Sequence, residues 1–407
     1  MWEIRTIGPD DVDLFRSRLS RGFGQDFEDT DAARERFEKV FEYDRTFAVF
    51  EDGDIVGTGA AFSLGLTVPG GAEVPMGGTT VIAVQPTHRR RGILRELMAR
   101  HLDEVASRGE PVAGLWASES TIYGRFGYGP ATYRYKTKLD APRLQWSGEA
   151  GTADVRLMES KEAQPIVRAL WEVVRTKRPG MITRSDGWWE QRVFADVESW
   201  RGGKTAFRYA VFQDGDTPTG YAMYRQKSSW ENFIANGEVE IEEFLTTSDG
   251  AHEALWRFLT NIDLFPKVEF WSLPIDDPLP GMVGDPRRME RVLSDALWVR
   301  LMDVPTALEA RTYEDDGSVT ISVTDGSRPE TSGTYQLDVT DGSATCERID
   351  GEGELSCDID VLGHLYLGGG SALVMAAAGR LRGDTEAVGR VHRIFRSAIA
   401  PWSPEVF

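Results

Sequence analysis

An eight-residue segment occurs twice in the chain in nearly the same form, and this internal repeat restricts the fold more than any other feature. Residues 47–54 read FAVFEDGD and residues 209–216 read YAVFQDGD, so the copies differ only at the first and fifth positions. Each copy joins an apolar run to an Asp-Gly pair, which is a strong signal for a β-hairpin. Helices and antiparallel strands alternate around it. We therefore predict two related α+β domains, residues 1–138 and residues 139–290, the second a degenerate duplicate of the first.

The character of the sequence changes near residue 290. Residues 275–288 read PIDDPLPGMVGDPR, and such a mixture of proline, glycine and aspartate is typical of linkers. Beyond it come a helical segment, alternating strands joined by Asp-Gly turns, and two short helices around residues 368–370. We predict a separate small α+β domain over residues 291–407.

A strand followed by a basic turn and a helix is the first sign of a binding site. VIAV at 81–84 is strand-like, THRRRG follows, and the stretch 92–107 carries a helical apolar stripe. The first N–H groups of a helix are unpaired and its dipole is positive there, so an anion such as a pyrophosphate fits. Gly92 would let the backbone approach such a ligand closely. The alternative is a solvated basic surface.

Composition narrows the classes of partner. The chain has 407 residues, 46 of them Lys or Arg and 65 Asp or Glu, for a formal net charge of −19. Nucleic acid is therefore a poor partner, whereas a cationic substrate is compatible with the acidic surface. Neither the two cysteines nor the five histidines show metal-ligand spacing, so no metal is expected. The N-terminus lacks a signal-like apolar region and no apolar run is long enough to span a bilayer, which favours a cytoplasmic protein without membrane contact.

Two motifs carry a family resemblance. The segment 89–94, RRRGIL, looks like the pyrophosphate loop of the GNAT acyltransferases, with Leu94 where glycine or alanine is common. THRRRG followed by ASESTIYGRFGYGPAT at 117–132 and an aromatic C-terminal residue resembles the Eis (enhanced intracellular survival) aminoglycoside acetyltransferase family. The resemblance implies an α+β fold of two tandem GNAT-like domains, the second degenerate, with a C-terminal domain similar to sterol carrier proteins.

The same resemblance assigns site residues. Tyr123 would be the general acid and the terminal carboxylate of Phe407 the general base, with Tyr128 and Glu119 as the competing candidates. The backbone of the strand Val81 to Val84 would pair with the pantetheine arm of acetyl-CoA, and the strand at 112–117 would diverge from it. The residues implied to bind the coenzyme are Ile82, Ala83, Val84, Arg90, Arg91, Gly92, Ile93, Leu94, Arg95, Ser118 and Glu119. Asp26 and Glu28 in the loop FGQDFEDTD, together with Glu405, are the carboxylates that would attract and orient a polycationic amine. Asp29 and Asp31 belong to the same acidic loop but could simply cap the next helix.

The resemblance implies an acetyl-CoA-dependent N-acetyltransferase that acts on amines of aminoglycoside-type polycations, at several positions, and assembles as a homo-oligomer, a hexamer in that family. Two other functions stay open at this point. One is a lysine or peptide acetyltransferase on the same scaffold. The other is a ligand- or lipid-binding protein that uses the third domain, with the first domain as a CoA sensor.

Overall fold

The computed structural model describes residues 2–148 and 155–407, which form two compact units. Unit 1 takes the chain up to Thr132, the segment Pro179–Val193 and the segment Ala296–Phe407. Unit 2 takes Tyr133–Arg178 and Phe194–Asp295. The domain boundaries at residues 138 and 290 stay a prediction.

Helices and strands follow one another along both units. The elements up to residue 140 are β1 (Glu3–Thr6), α1 (Val12–Gly22), α2 (Asp31–Val40), β2 (Thr46–Glu51), β3 (Asp54–Thr67), β4 (Glu73–Val84), α3 (Ile93–Ser107), β5 (Val112–Trp116), α4 (Ser120–Tyr123), β6 (Gly129–Pro130) and β7 (Tyr133–Asp140). Those between residues 155 and 295 are β8 (Val155–Met158), α5 (Ser160–Arg175), α6 (Asp186–Trp188), β9 (Arg208–Asp214), β10 (Thr217–Lys227), β11 (Trp230–Glu231), β12 (Ile234–Ala235), β13 (Glu238–Thr246), α7 (Asp249–Thr260), β14 (Lys267–Pro274), α8 (Leu279–Met282) and β15 (Met289–Asp295). The remaining ones are β16 (Leu297–Leu301), α9 (Val304–Glu309), β17 (Gly317–Thr324), β18 (Gly333–Thr340), β19 (Ser343–Ile349), β20 (Leu355–Asp358), α10 (Ile359–Tyr366), α11 (Ala372–Ala377), β21 (Leu381–Arg382) and α12 (Thr385–Phe395).

The first sheet of unit 1 has the strand order β1-β2-β3-β4-β5-β16-β6, with β4 and β5 parallel and the other neighbours antiparallel. The predicted hairpin joins β2 to β3 through Asp52 and Gly53, both with positive φ, as a two-residue turn of this kind requires. Side chains alternate across β2: Ala48 packs in one cluster with α1, and Val49 packs in another with α3. Helices therefore cover both faces of this sheet.

The apolar stripe predicted for the helix at 92–107 is confirmed. Helix α3 begins at Ile93 and buries Ile93, Leu97, Met98, Leu102 and Val105 against the sheet. This packing fixes the start of α3 at the end of β4, because the stripe leaves only one face that the helix can present to the sheet.

The C-terminal part of unit 1 forms a second sheet with the order β19-β18-β17-β20-β21. The two short helices predicted around residues 368–370 are present as α10 and α11. Inside this part lies Arg311, which is 1% exposed and donates to the carbonyls of Tyr366, at 2.5 Å, and Phe395, at 3.0 Å. A buried guanidinium that is bonded to main-chain carbonyls fills this part of the interior.

Unit 2 repeats the topology of the first sheet. Its strands follow the order β15-β7-β14-β13-β10-β9-β8, and β13 and β14 are parallel. Helix α7 follows β13 as α3 follows β4, but its N-cap is Ser248 and its first residue is Asp249, so the basic turn is missing. The repeat predicted from the hairpin sequences is thus confirmed, and the second copy is degenerate at the turn. In the described parts of the chain no helix is both long and apolar enough to cross a membrane.

Candidate active site

The parallel strands β4 and β5 pair over three residues and then separate. Met76–Gly78 pairs with Val112–Gly114, after which β4 continues to Val84 along β3 and β5 continues along β16. Past Gly78 the facing edges of β4 and β5 do not pair with each other, which leaves room for the amide groups of an extended ligand. The divergence implied for residues 112–117 is therefore observed.

A bulge changes the direction of β4 just beyond this separation. Thr58 pairs with Ala83 and Ala60 pairs with Thr80, so that Gly59 alone faces both Val81 and Ile82. Val81 has a φ of 49°, a left-handed conformation that is costly for a β-branched residue. The hydroxyl of Thr58 holds the bulge by donating to the Val81 carbonyl at 2.8 Å. Ile82, Ala83 and Val84 thus follow a strained bulge, and bulges of this kind are common beside active sites.

The arginine–glycine turn links β4 to the N-terminus of α3. Arg90 and Gly92 both have left-handed backbones, with φ of 61° and 93°. A Cβ at Gly92 would meet no atom within 4 Å, so the backbone here is open. Arg89, Arg90 and Arg95 make no hydrogen bond or ion pair with any residue that the structure describes, and no side chain caps the N-terminus of α3. The turn presents positive charge that the described residues do not neutralise.

Arg91 differs from its neighbours because it already has a partner. Its guanidinium binds both carboxylate oxygens of Glu51, at 2.6 and 3.0 Å, and lies 5.1 Å from the ring of Trp2. This guanidinium and His88, which also contacts Glu51, hold the pKa of Glu51 below its usual range. The bidentate pair fixes the turn against β2, and it leaves Arg91 less able than Arg90 to reach a ligand.

Tyr123 lies at the end of the short helix α4 and is 6% exposed. Its ring packs edge-on against that of Tyr128, with centroids 6.3 Å apart. Burial raises the pKa of the Tyr123 phenol, while a hydrogen bond with Ser118 opposes the rise. Ser118 and Glu119 are exposed and follow β5 directly. A buried phenol with a raised pKa stays protonated near neutral pH and can donate a proton.

A buried polar network lies next to the point where the strands separate. Thr79, the residue after Gly78, has its hydroxyl 2.5 Å from Nε2 of His101 and 2.8 Å from the hydroxyl of Tyr128. All three side chains are buried. Burial, together with the positive charges of Arg45 and Arg300, lowers the pKa of His101 to about 3. The network therefore contains a neutral imidazole, and it connects β4 to α3 and to the tyrosine that packs on Tyr123.

The C-terminal residue lies at the same place. Phe407 is 9% exposed, and its ring packs edge-on against Phe62 and Trp188, with centroids 6.4 and 6.3 Å apart. A Cβ at Gly78 would meet Leu64 first, at 2.5 Å, and would lie 3.3 Å from a ring carbon of Phe407. The ring of Phe407 therefore lies beside the last residue of β4 that pairs with β5.

Comparison with known proteins identifies this arrangement. Models of the acetyltransferase (GNAT) domain match residues 3–131 and 180–301, and a model of the sterol carrier protein domain matches residues 304–404. An N-acetyltransferase Eis from Mycobacterium tuberculosis is 36% identical over 356 residues, which are 85% of this chain and 84% of that relative. The chain belongs to the Eis-like GNAT acetyltransferases.

Two further similarities extend over the full length of this Eis-like chain. An uncharacterized N-acetyltransferase from Streptomyces avermitilis is 39% identical over 409 residues, covering 100% of this chain and 99% of the relative. The crystal structure of Eis1 from Mycobacterium abscessus superposes with a TM-score of 0.87 at 30% identity and full coverage of both chains. The protein is therefore an N-acetyltransferase, and the predicted arrangement of two GNAT domains and a sterol-carrier-like domain is confirmed.

The predicted substrate carboxylates of this Eis-like enzyme do not form one cluster of contacts. Asp26 and Glu28 lie in the loop between α1 and α2; Asp26 is exposed, and Glu28 pairs with Arg36 at 2.9 Å. Neither forms a hydrogen bond or ion pair with Glu405, which is 7% exposed. The expectation that Asp29 or Asp31 caps α2 is wrong, because the hydroxyl of Thr30 accepts from the N–H of Ala33 at 3.2 Å.

Several residues of the site carried no signal in the sequence. Gly78 and Thr79 join the site through the sheet pairing, and His101 on α3 joins it through its contact with Thr79. Trp188 lies in a segment far from the N-terminal motifs. The paired tryptophans in RSDGWWEQR at 184–192 were the one local hint. Within residues 2–148 and 155–407, no group of three or more His, Cys, Asp or Glu side chains is arranged to hold a metal ion.

Proposed function

We propose that this chain is an acetyl-CoA-dependent N-acetyltransferase that acylates amines of aminoglycoside-type polycations at more than one position. The observation that carries this proposal is the position of the Phe407 ring beside Gly78, where β4 and β5 separate. Thr79 follows Gly78 and binds Tyr128, whose ring packs on Tyr123. The candidate base and the candidate acid are thereby linked to two consecutive residues of one strand.

Acetyl-CoA would supply the acetyl group as a reactive thioester. The N–H groups of Gly92, Ile93 and Leu94 and the guanidinium groups of Arg90 and Arg95 would bind its pyrophosphate. Arg91 would contribute mainly through its pair with Glu51, which fixes the turn. The backbone of Ile82, Ala83 and Val84 would pair with the pantetheine amides, while Ser118 and Glu119 would border the ligand at the end of β5.

Proton transfer requires an acceptor for the amine proton and a donor for the leaving thiolate. The terminal carboxylate of Phe407 would accept the proton of the attacking amine. Tyr123 is protonated at neutral pH and would donate its proton to the leaving thiolate. Its raised pKa makes it a weaker acid, so the transfer depends on the close placement of the two groups. Residues Tyr123 and Phe407 are 6% and 9% exposed, so the two proton transfers would take place beside buried residues.

The excess of acidic over basic residues in the chain supports a cationic substrate. A formal net charge of −19 raises the local concentration of polycations. Asp26 is exposed, and Glu28 is exposed although one of its oxygens pairs with Arg36. Assembly as a homo-oligomer, a hexamer, belongs to the proposal and is testable by sedimentation. A cytoplasmic location is also proposed, since Cys346 and Cys357 are free thiols, as expected in a reducing compartment.

A panel of amines tests the substrate class. The purified chain is incubated with acetyl-CoA and with tobramycin, neamine or a lysine peptide, while released CoA is followed with a thiol reagent. Mass spectrometry then counts the acetyl groups on each product. Release with both antibiotics, and more than one acetyl group on at least one of them, is expected. Turnover on the peptide alone would refute the aminoglycoside substrate and favour a lysine or peptide acetyltransferase.

A C-terminal extension tests the base. Two residues added after Phe407 convert its carboxylate into a peptide carbonyl, and they should abolish acetylation while leaving the affinity for CoA unchanged. The chain that ends at Phe407 is the matched control. Full turnover by the extended chain would eliminate the terminal carboxylate as the base.

A further inference from the structure

The carboxylate of Glu405 is already occupied by the protein. It forms an ion pair with Arg184, whose side chain is 2% exposed, and it accepts a hydrogen bond from the indole N–H of Trp188 at 3.2 Å. One oxygen serves each partner, and Glu405 itself is 7% exposed. A buried carboxylate with both oxygens engaged is not available to a substrate ammonium group.

The partners of Glu405 belong to the segment Pro179–Val193, which we call the tail cradle. The cradle attaches to the end of β3: the N–H of Gly180 donates to the Thr67 carbonyl at 2.8 Å, and the N–H of Thr183 donates to the Gly65 carbonyl at 2.9 Å. These main-chain bonds continue the first sheet of unit 1. The cradle is therefore held by the same strand, β3, that pairs with β4.

Other contacts bring the last residues of the chain to the tail cradle. The N–H of Trp402 donates to the Pro179 carbonyl at 2.8 Å, and Arg192 donates to the Val406 carbonyl at 2.6 Å. The guanidinium of Arg192 also lies 4.6 Å from the ring of Trp188, which itself packs on Phe407. The Val406 side chain is 46% exposed, so main-chain contacts hold this residue rather than its burial.

We propose that Glu405 is a positioning residue, which holds the C-terminal residues in the tail cradle and so presents the terminal carboxylate, rather than a ligand of the amine substrate. This inference rests on the proposed function of that carboxylate as the base. Phe407 lies two positions after Glu405, with only Val406 between them, a span of at most about 7 Å in an extended chain. Fixing Glu405 and the Val406 carbonyl therefore restricts a terminus that would otherwise fray.

The charges of the cradle explain why a carboxylate is required at position 405. The Arg184 side chain is withdrawn from water, and an uncompensated buried guanidinium is costly. Glu405 supplies the compensating charge to Arg184. Replacing it with glutamine keeps the size and an acceptor for Trp188, but it removes the ion pair that ties the tail to the cradle.

The variant Glu405→Gln tests this role. Loss of one charge-assisted contact should lower kcat by about tenfold to a hundredfold and change KM for the amine by less than about twofold. Carboxypeptidase should also release Phe407 from the folded variant at least about tenfold faster than from the wild type. Glu354→Gln is the matched control, because Glu354 also pairs with an arginine, Arg390, but has no contact with the tail. It should behave as the wild type in both assays.

A second variant covers the case in which Glu405→Gln does not fold. Trp188→Phe removes the indole donor but keeps a ring against Phe407. It should therefore lower kcat and speed the release of Phe407 by carboxypeptidase, each by a smaller factor than Glu405→Gln. A rise in KM without loss of kcat, or a tail as resistant to carboxypeptidase as in the wild type, overturns the assignment of Glu405. Full activity of the chain extended beyond Phe407 instead refutes the proposed base, and the carboxypeptidase comparison still decides whether Glu405 holds the tail.

Discussion

The buried imidazole of His101 should make the stability of this protein depend on pH in a way that one substitution removes. His101 is 0% exposed, and its Nδ1 has no hydrogen-bond partner among the described residues. Protonation would place a charge in the core beside Arg45 and Arg300 and leave one N–H without an acceptor. The folded protein therefore keeps His101 neutral, with a pKa of about 3.

The sign and size of the effect follow from linkage. In the unfolded chain the imidazole has its ordinary pKa of about 6.5. Below that pH the unfolded state is protonated at His101 while the folded state is not, so protonation favours unfolding. The contribution to stability is complete above about pH 6.5 and is lost as the pH falls toward the folded-state pKa. Each pH unit in this window costs about 1.4 kcal/mol, so lowering the pH from 7 to 5 should cost about 2 kcal/mol.

The assay is urea unfolding, followed by tryptophan fluorescence, at several pH values between 5 and 8. The wild type should lose about 2 kcal/mol more than His101→Gln over this interval, since glutamine can contact Thr79 but does not titrate. What is compared is the change in the free energy of unfolding with pH, so the comparison remains valid when the variant is less stable at every pH. Equal changes in the free energy of unfolding for the two proteins would refute a neutral, buried His101.

Two further substitutions test the site itself. Tyr123→Phe should lower kcat by roughly a hundredfold or more with the affinity for acetyl-CoA unchanged, and wild-type turnover would end its assignment as the acid. Gly180→Ala should loosen the tail and lower kcat, because Gly180 has a φ of 93° and a Cβ there would lie 2.9 Å from the Trp402 carbonyl oxygen. Its control is Gly109→Ala, which has a φ of 69° with no atom within 4 Å of the added Cβ; equal kcat in the two variants would contradict the role of the tail contact.

Local signals predicted most of the secondary structure. The Asp-Gly pair at 52–53 determined a hairpin, because both residues must adopt positive φ, and Asp341 with Gly342 did the same between β18 and β19. The stripe of α3 was readable because its period matches the helix. Such signals depend on neighbours in sequence, and they identify an element without identifying its partners.

Contacts between segments that are distant in sequence could not be predicted from such local signals. Nothing local indicates that β16 inserts between β5 and β6, or that Pro179–Val193 joins the end of β3. The role first assigned to Glu405 shows the consequence. A carboxylate near the terminus resembles a substrate ligand in the sequence, and only the contacts with Arg184 and Trp188 reveal that it is paired.

Titration of the folded chain with acetyl-CoA in a calorimeter tests the central claim most directly, namely that the turn after β4 binds this thioester. We expect saturable binding at one site per chain, with an affinity that falls as salt is added and that falls further in Arg90→Ala, together with a rise in Tm in the presence of the ligand. No heat at any of several temperatures, and no change in Tm, would contradict the account.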